Sequence, residues 1–245
     1  MFNETELLMT GGSGLLGGEI KKLIPNALYP SSNEFNLTNY EQMEKFIASH
    51  PEIKTILHAA AFTAPPKCEE DPISAIEANI NGTGNIAKLC IKHDLKLIYV
   101  STDYVFKGDK GNYKEDDPMS PINKYSWSKL GGECAVRMHD NILVIRTSFG
   151  PVPFQYPKAF TDQWTSRQSS QQVAEKIAKL TKAEEQGTYH VGTKRRTVHE
   201  YAKDISPDQE IGEISIEDIP MPMPVDTSLD TSKYEKFAQQ TNQNE

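Results

Sequence analysis

Glu6-Leu7-Leu8-Met9-Thr10 runs directly into Gly11-Gly12-Ser13-Gly14-Leu15-Leu16-Gly17, and Leu15, Leu16, Ile20, Leu23 and Ile24 then recur at helical spacing. A short apolar run, a glycine turn and an amphipathic stretch predict strand, turn and helix. Glycines at GxxGxxG spacing would make a tight strand-to-helix connection in any protein. At this place they also let bare backbone approach a pyrophosphate at the positive end of the helix. The context favours dinucleotide binding, with Gly11, Ser13, Gly14, Leu15 and Gly17 as the contacting residues.

Outward from this turn the pattern repeats. A weak strand near Ala27–Tyr29 ends at Pro30, and residues 39–49 place Tyr40, Met43, Phe46 and Ile47 on one helical face. Thr55-Ile56-Leu57-His58 is the next strand. Residues 73–92 read as a long helix that must tolerate Gly82 and Gly84, which predicts close packing there. Leu95–Ser101 is the strongest strand, and a long polar connection over 107–123 marks a functional loop. A helix over 125–138 and the strand Ile142–Ile145 follow. Such alternation predicts an α/β fold, a Rossmann-like doubly wound parallel sheet.

After Gly150 the pattern degrades at Pro151, Pro153 and Pro157. A helix over 171–181, a strand over 188–191 and a short helix over 197–205 are still readable. The proline-alternating stretch Ile219–Pro224 is extended, and residues 239–245 are expected to be disordered. We therefore expect a dinucleotide-binding domain over 1–150 with a returning segment at about 171–191. Residues 151–170 and 192–245 would form a small discontinuous substrate-binding lobe.

The 245 residues are 37% hydrophobic and 24% charged, with a formal net charge of -8. That balance disfavours nucleic acid and anionic membrane surfaces as partners. The acidic start, and the lack of any apolar run near the ~20 residues a bilayer crossing needs, predict a soluble, cytoplasmic protein. Cys68, Cys90 and Cys134 read as free thiols, and the six histidines show no metal-ligand spacing, so no metal site is expected.

Tyr125-Ser126-Trp127-Ser128-Lys129 sets a tyrosine and a lysine on one helical face, about 5–6 Å apart between Cβ atoms. A surface pair would look the same. Downstream of a glycine turn, however, a neighbouring ammonium that lowers the phenol's pKa would make Tyr125 a usable acid. Ser101-Thr102-Asp103 closes the strongest strand at the edge where open parallel sheets bind ligands. No acidic side chain between Tyr29 and Asn33 is available for an NAD ribose, and no Arg or Lys for a 2′-phosphate. Ser31 and Ser32 occupy that place, so NADPH is the expected cofactor, with NADH as the alternative.

Taken together these residues resemble the extended short-chain dehydrogenase/reductase superfamily, and within it the dTDP-4-dehydrorhamnose reductase family. The resemblance covers most of residues 6–150. His58-Ala59-Ala60-Ala61-Phe62-Thr63 is like the family's NAAAYT, and Asn79 lies in a segment like its VNxxGT. Ser101 to Phe106 with Lys107-Gly108 is close to STDYVFDG, Tyr125 to Glu133 resembles YGKTKLxGE, and Arg146-Thr147-Ser148 resembles RTS. This implies Thr102, Tyr125 and Lys129 as the catalytic set. It also implies Asn36 and Leu37 near adenine, Ala59, Ala60, Ala61 and Asn79 along the cofactor, and Thr63, Asp103, Val105 and Phe106 at the sugar.

The implied reaction moves hydride from the nicotinamide to the C4 keto group of a nucleotide-linked 4-keto-6-deoxy sugar, with Tyr125 as proton donor, as in dTDP-rhamnose biosynthesis. Related dehydratases carry Asp-Glu after the strand threonine, and bifunctional epimerase/reductases a cysteine there; here the pair is Asp103-Tyr104. Cys68 keeps epimerisation open as an alternative. Many relatives dimerise through two long helices, here 73–92 and 124–138, so a homodimer is a further expectation.

Departures gather after Gly150. Asp162-Gln163 faintly resembles DQxGxPT, but Trp164-Thr165-Ser166-Arg167 follows, and the family's terminal arginine-proline element appears as Pro224 to Asp230. Arg167 and Lys194-Arg195-Arg196 are the cations left to hold a substrate diphosphate. The reduced lobe also admits a non-catalytic, cofactor-binding subunit, resembling the regulatory β subunits of methionine adenosyltransferase.

Overall fold

The computed structural model describes residues 2–244. In chain order its elements begin with β1 (Leu7–Thr10), α1 (Leu15–Leu23), α2 (Tyr40–Ser49), β2 (Thr55–His58) and α3 (Pro65–Glu70). A long helical passage follows: α4 (Pro72–Ala75), a wider π-type stretch over Ile76–Gly82, and α5 (Thr83–His93). β3 (Lys96–Thr102), α6 (Lys124–Val136), β4 (Ile142–Thr147) and β5 (Phe149–Gly150) complete the first part of the chain.

β1, β2, β3 and β4 are joined at the far edge by β9 (Gly187–Val191), all parallel, in the order β1-β2-β3-β4-β9. β1 to β4 are largely apolar runs without polar alternation, because both faces are covered. On one face Leu7, Met9, Leu57, Ile98 and Ile145 pack against Leu16 and Ile20 of α1 and Val173 and Ile177 of α7 (Ser170–Lys182). On the other, Leu8, Ile56, Leu97 and Val144 meet Met43 and Ile47 of α2 and Ile86, Leu89 and Cys90 of α5. The sheet is doubly wound, as expected. Only a single parallel bridge, Leu8 to Leu28, represents the strand expected at 27–29.

From Gly150 onward the chain makes short ladders. β6 (Lys158–Phe160) pairs with β11 (Gly212–Ile214), β7 (Trp164–Thr165) with β10 (Arg196–Thr197), and β5 with β8 (Gln168–Ser169). A small separate core, with Phe154, Ala159, Val198 and Tyr201, forms under α8 (Val198–Ile205).

The expected disorder at 239–245 is corrected by α9 (Ser232–Asn244), while Glu245 lies outside the described residues. Tyr234 and Phe237 are buried, and Phe237 meets the Tyr189 ring of β9 edge-on at 6.0 Å. Two aromatic anchors supply the docking surface that a polar tail composition concealed. Among the described residues, no helix is long and apolar enough to cross a membrane, and no cluster of candidate metal ligands occurs.

Candidate active site

A cleft of about 940 Å³ opens at the carboxyl ends of β1 to β4, where the order of a doubly wound sheet places ligands. Its floor begins at the glycine turn. Gly11 has φ +77°, and a Cβ there would lie 2.7 Å from Ala60 N; a Cβ on Gly17 would lie 2.2 Å from Gly11 O. Side chains are excluded, so the turn closes against β2 and the start of α1, with Gly14 as its N-cap, faces the cleft. Ser13, Leu15, Ser32, Asn36, Leu37, Ala59, Ala60 and Ala61 line the same space.

A buried relay fixes this floor. His58 bonds Thr10 Oγ1 at 2.7 Å and Thr83 Oγ1 at 3.0 Å, tying β1, β2 and α5 together. Burial, with the Lys129 charge adding to it, pushes His58 down to about 3, so it is a neutral structural group. The fit to a dinucleotide therefore rests on a glycine-rich turn at a helix start and on a cleft that reaches Tyr125.

Thr102, Tyr125 and Lys129 converge on the opposite wall. Thr102 ends β3, and α6 is started by an Asn123–Ser126 capping box that sets the pitch at which Tyr125 and Lys129 share a face. The pair differs from expectation in one respect. Lys129 Nζ donates to Val100 O at 2.9 Å and lies 4.3 Å from the Tyr99 ring centre. Burial pushes it down to about 7, against the pull of Glu133. The Tyr125 phenol is not lowered: burial pushes it up to about 12, with the neighbouring Thr102 hydroxyl pulling the other way. Desolvation outweighs the Thr102 hydrogen bond and the charge of Arg167.

Asp103 also borders the cleft, but its carboxyl is spent. Its oxygens accept from Thr102 Oγ1 at 3.2 Å and Thr227 Oγ1 at 2.7 Å, and burial pushes it up to about 6. Tyr104 OH accepts from Gln163 Nε2 at 3.0 Å. Gln163 and Thr227 are the site residues that sequence reasoning missed. Gln163 carried a signal in the Asp162-Gln163 pair; Thr227 carried none.

Five expected contacts lie elsewhere. Val105 and Phe106 do not line the cleft; both are fully buried in a cluster with Tyr113 and Leu229. Asn79 holds the backbone of Phe62, accepting from its N–H at 2.7 Å and donating to its carbonyl at 2.9 Å and to Ser128 Oγ at 2.8 Å. It supports the cleft from behind. Ser31 is turned to Glu34 at 2.7 Å, leaving Ser32 at the cleft. Cys68 is buried outside it, its thiol pushed up to about 11 by burial.

The cations sort equally plainly. Arg195 stacks 3.6 Å from the Trp164 ring centre and pairs with Asp226 at 2.7 Å, and Arg196 pairs with Asp204 at 2.8 Å. Neither these two nor Lys194 lines the cleft, whereas Thr63 and Arg167 do.

A family profile described as the RmlD substrate binding domain matches residues 5–153, more than half the chain. The chain belongs to that family. A curated relative, the dTDP-4-dehydrorhamnose reductase of Aggregatibacter actinomycetemcomitans, is 35% identical over 150 residues, covering 58% of this chain and 51% of that one. Methionine adenosyltransferase 2 subunit beta of Rattus norvegicus is 34% identical over 142 residues, covering 53% and 42%. The chain thus spans about half the length of the curated relatives it matches.

Among solved structures, a hypothetical dTDP-4-dehydrorhamnose reductase from Sulfolobus tokodaii superposes with TM-score 0.83 at 31% identity, covering 94% of each chain. The dTDP-4-dehydrorhamnose reductase of Bacillus anthracis, in complex with NADP, superposes with TM-score 0.84 at 25% identity, covering 94% of this chain and 92% of that one. The Rossmann-like reductase architecture of this RmlD-family chain is therefore shared along nearly its whole length.

Proposed function

We propose that this RmlD-family chain is an NADPH-dependent oxidoreductase that reduces the C4 keto group of a nucleotide-linked 4-keto-6-deoxy sugar. The observation that carries this reading is the meeting of Thr102, Tyr125 and Lys129 with the glycine turn in one cleft. The family resemblance and the NADP-bound relative support it. The nicotinamide, when bound, supplies the hydride. Every other requirement falls on side chains of this protein.

A phenol pushed up to about 12 keeps its proton at neutral pH, which is the form a donor to a forming alkoxide must have. Thr102 stands beside it and holds the same oxygen. Lys129 orients the ribose from the Val100 carbonyl, and the glycine turn takes the pyrophosphate. Residues 151–170 and 192–231 would act as the substrate lobe; α9, expected within it, packs instead on the sheet beside β9 through Tyr234 and Phe237. The reading carries with it a cytoplasmic enzyme of dTDP-rhamnose biosynthesis and a homodimer through α4–α5 and α6, whose Ile73, Ile76 and Trp127 are exposed.

Epimerisation would need a base beside the keto group, and Cys68, buried outside the cleft, does not provide it. The test is a panel of dTDP-, UDP- and GDP-linked 4-keto sugars made in situ with a dehydratase. We expect NADPH oxidation with at least one of them. Tyr125→Phe should lose about 10²- to 10⁴-fold in turnover while binding NADPH as before. Equal rates in both proteins would remove Tyr125 as the acid. No turnover with any sugar, together with co-purification of a larger enzyme, would favour the regulatory-subunit reading.

A further inference from the structure

Two cations line the cleft among the described residues, Lys129 and Arg167, and Lys129 is committed to the Val100 carbonyl. Arg167 sits between β7 and β8, its carbonyl accepting from Arg196 Nη2 at 3.3 Å. Its guanidinium lies 5.6 Å from the Tyr201 ring centre, and its Nε is buried with no hydrogen-bond partner. A buried donor left unpaired is costly, so an acceptor is wanted at this point. Gly150 makes the room: a Cβ there would lie 2.7 Å from Nη2 and 3.2 Å from Nε of Arg167.

A second unpartnered group stands on the same wall. Thr147 is 3% exposed, lines the cleft, and its hydroxyl has no partner either. By contrast the neighbouring carboxyl of Asp103 is satisfied by Thr102 and Thr227. The positive charge of Arg167 counters the rise that burial imposes on Asp103, Tyr104 and Tyr125, which sets it at the reacting end of the cleft. A planar fork of N–H donors at that position suits a phosphate or carboxylate and no neutral group as well.

We infer that Arg167 is the anchor for the diphosphate of the nucleotide-linked sugar, and so determines which substrates enter. The inference rests on the reductase reading of the cleft and names the charged group that the reading leaves open. It also relocates the anchoring role: Arg195 and Arg196 are paired with carboxylates outside the cleft.

The test measures binding to the full-length NADPH-loaded protein by calorimetry, using dTDP, thymidine, UDP-glucose and UDP-glucuronate. If the diphosphate is the partner, Arg167→Met weakens dTDP about 10- to 100-fold, Arg167→Lys falls between, and thymidine is unchanged. An unaffected dTDP affinity, with a wild-type preference for UDP-glucuronate over UDP-glucose that collapses in Arg167→Met, would overturn the assignment to the diphosphate. Gly150→Val, which keeps the cation but displaces it, should weaken dTDP as well. NADPH affinity and thermal midpoint establish that each variant is folded.

Binding of all four ligands within twofold in wild type and Arg167→Met would overturn the inference, as would no binding by the wild type. Arg167-dependent binding without turnover of any keto sugar would sink the reductase reading and leave the anchor standing.

Discussion

Tyr125 and Lys129 share one turn of helix, yet their protons answer to different neighbours. The spacing was legible in the sequence because YxxxK needs only helical periodicity. The direction of the phenol's shift was not, because burial is set by the packing of the whole cleft, and the Thr102 hydroxyl and Arg167 charge that oppose it arrive from other elements. Asn79, Val105 and Phe106 failed for a related reason: a motif says that a residue is needed near a site without saying whether it lines the cleft or holds the wall from behind. Lys129 yields a pH prediction. Its value falls from 10.5 to about 7 in the folded protein. Between those limits the unfolded chain binds more protons, so this residue's contribution to stability rises with pH through about 7 to 10.5, and its penalty is full below 7. Urea titrations from pH 6.5 to 10 should therefore show a shallower rise for Lys129→Met than for the wild type; parallel curves would contradict the assigned shift.

Element boundaries were largely readable, since the strands are apolar runs and α6, α7 and α8 each begin at a side-chain cap. The passage over 73–92 was continuous, as its periodicity implied, but it widens at Ile76–Gly82, where Asn79 is bonded to both Phe62 and Ser128. Interruptions of this kind gather at functional sites. The close approach expected at Gly82 and Gly84 is shared unevenly. A Cβ on Gly82 would meet Leu37 at 3.0 Å, and one on Gly84 would meet no atom within 4 Å. The tightest crossing is at Gly132 of α6, where a Cβ would lie 2.4 Å from the Asn79 carbonyl and 2.7 Å from Tyr99 OH. Gly132→Ala should destabilise the protein by about 1–3 kcal/mol, whereas Gly84→Ala, in open space within a helix, should stabilise it by roughly 0.5–1 kcal/mol. Thermal melts of the two variants would separate these outcomes.

For the molecule as a whole, the sheet and its two covered faces followed from strand–helix alternation, and beyond Gly150 α7, β9 and α8 were readable in the same way; the two- and three-residue ladders there were not, because they leave no periodicity to read. One buried cluster binds the layers together. Glu133 of α6 accepts from Arg146 of β4 at 2.7 Å, from Ser101 of β3 at 2.7 Å and from Arg137 at 2.7 Å, and its carboxyl is held below the usual range by these partners despite burial. Glu133→Ala would leave Arg146, which is 1% exposed, without its counter-charge and should cost about 3–5 kcal/mol, read as a drop in the denaturant midpoint. A loss under 1 kcal/mol would show that the cluster is dispensable. The bond from Thr227 to Asp103 and that from Gln163 to Tyr104 join the late part of the chain to the tip of β3. Prying the two halves apart would break both fastenings together, so the cleft resembles a fixed keyhole more than a closing hand, and directed evolution toward a bulkier ligand would have to loosen those fastenings before it could widen the slot.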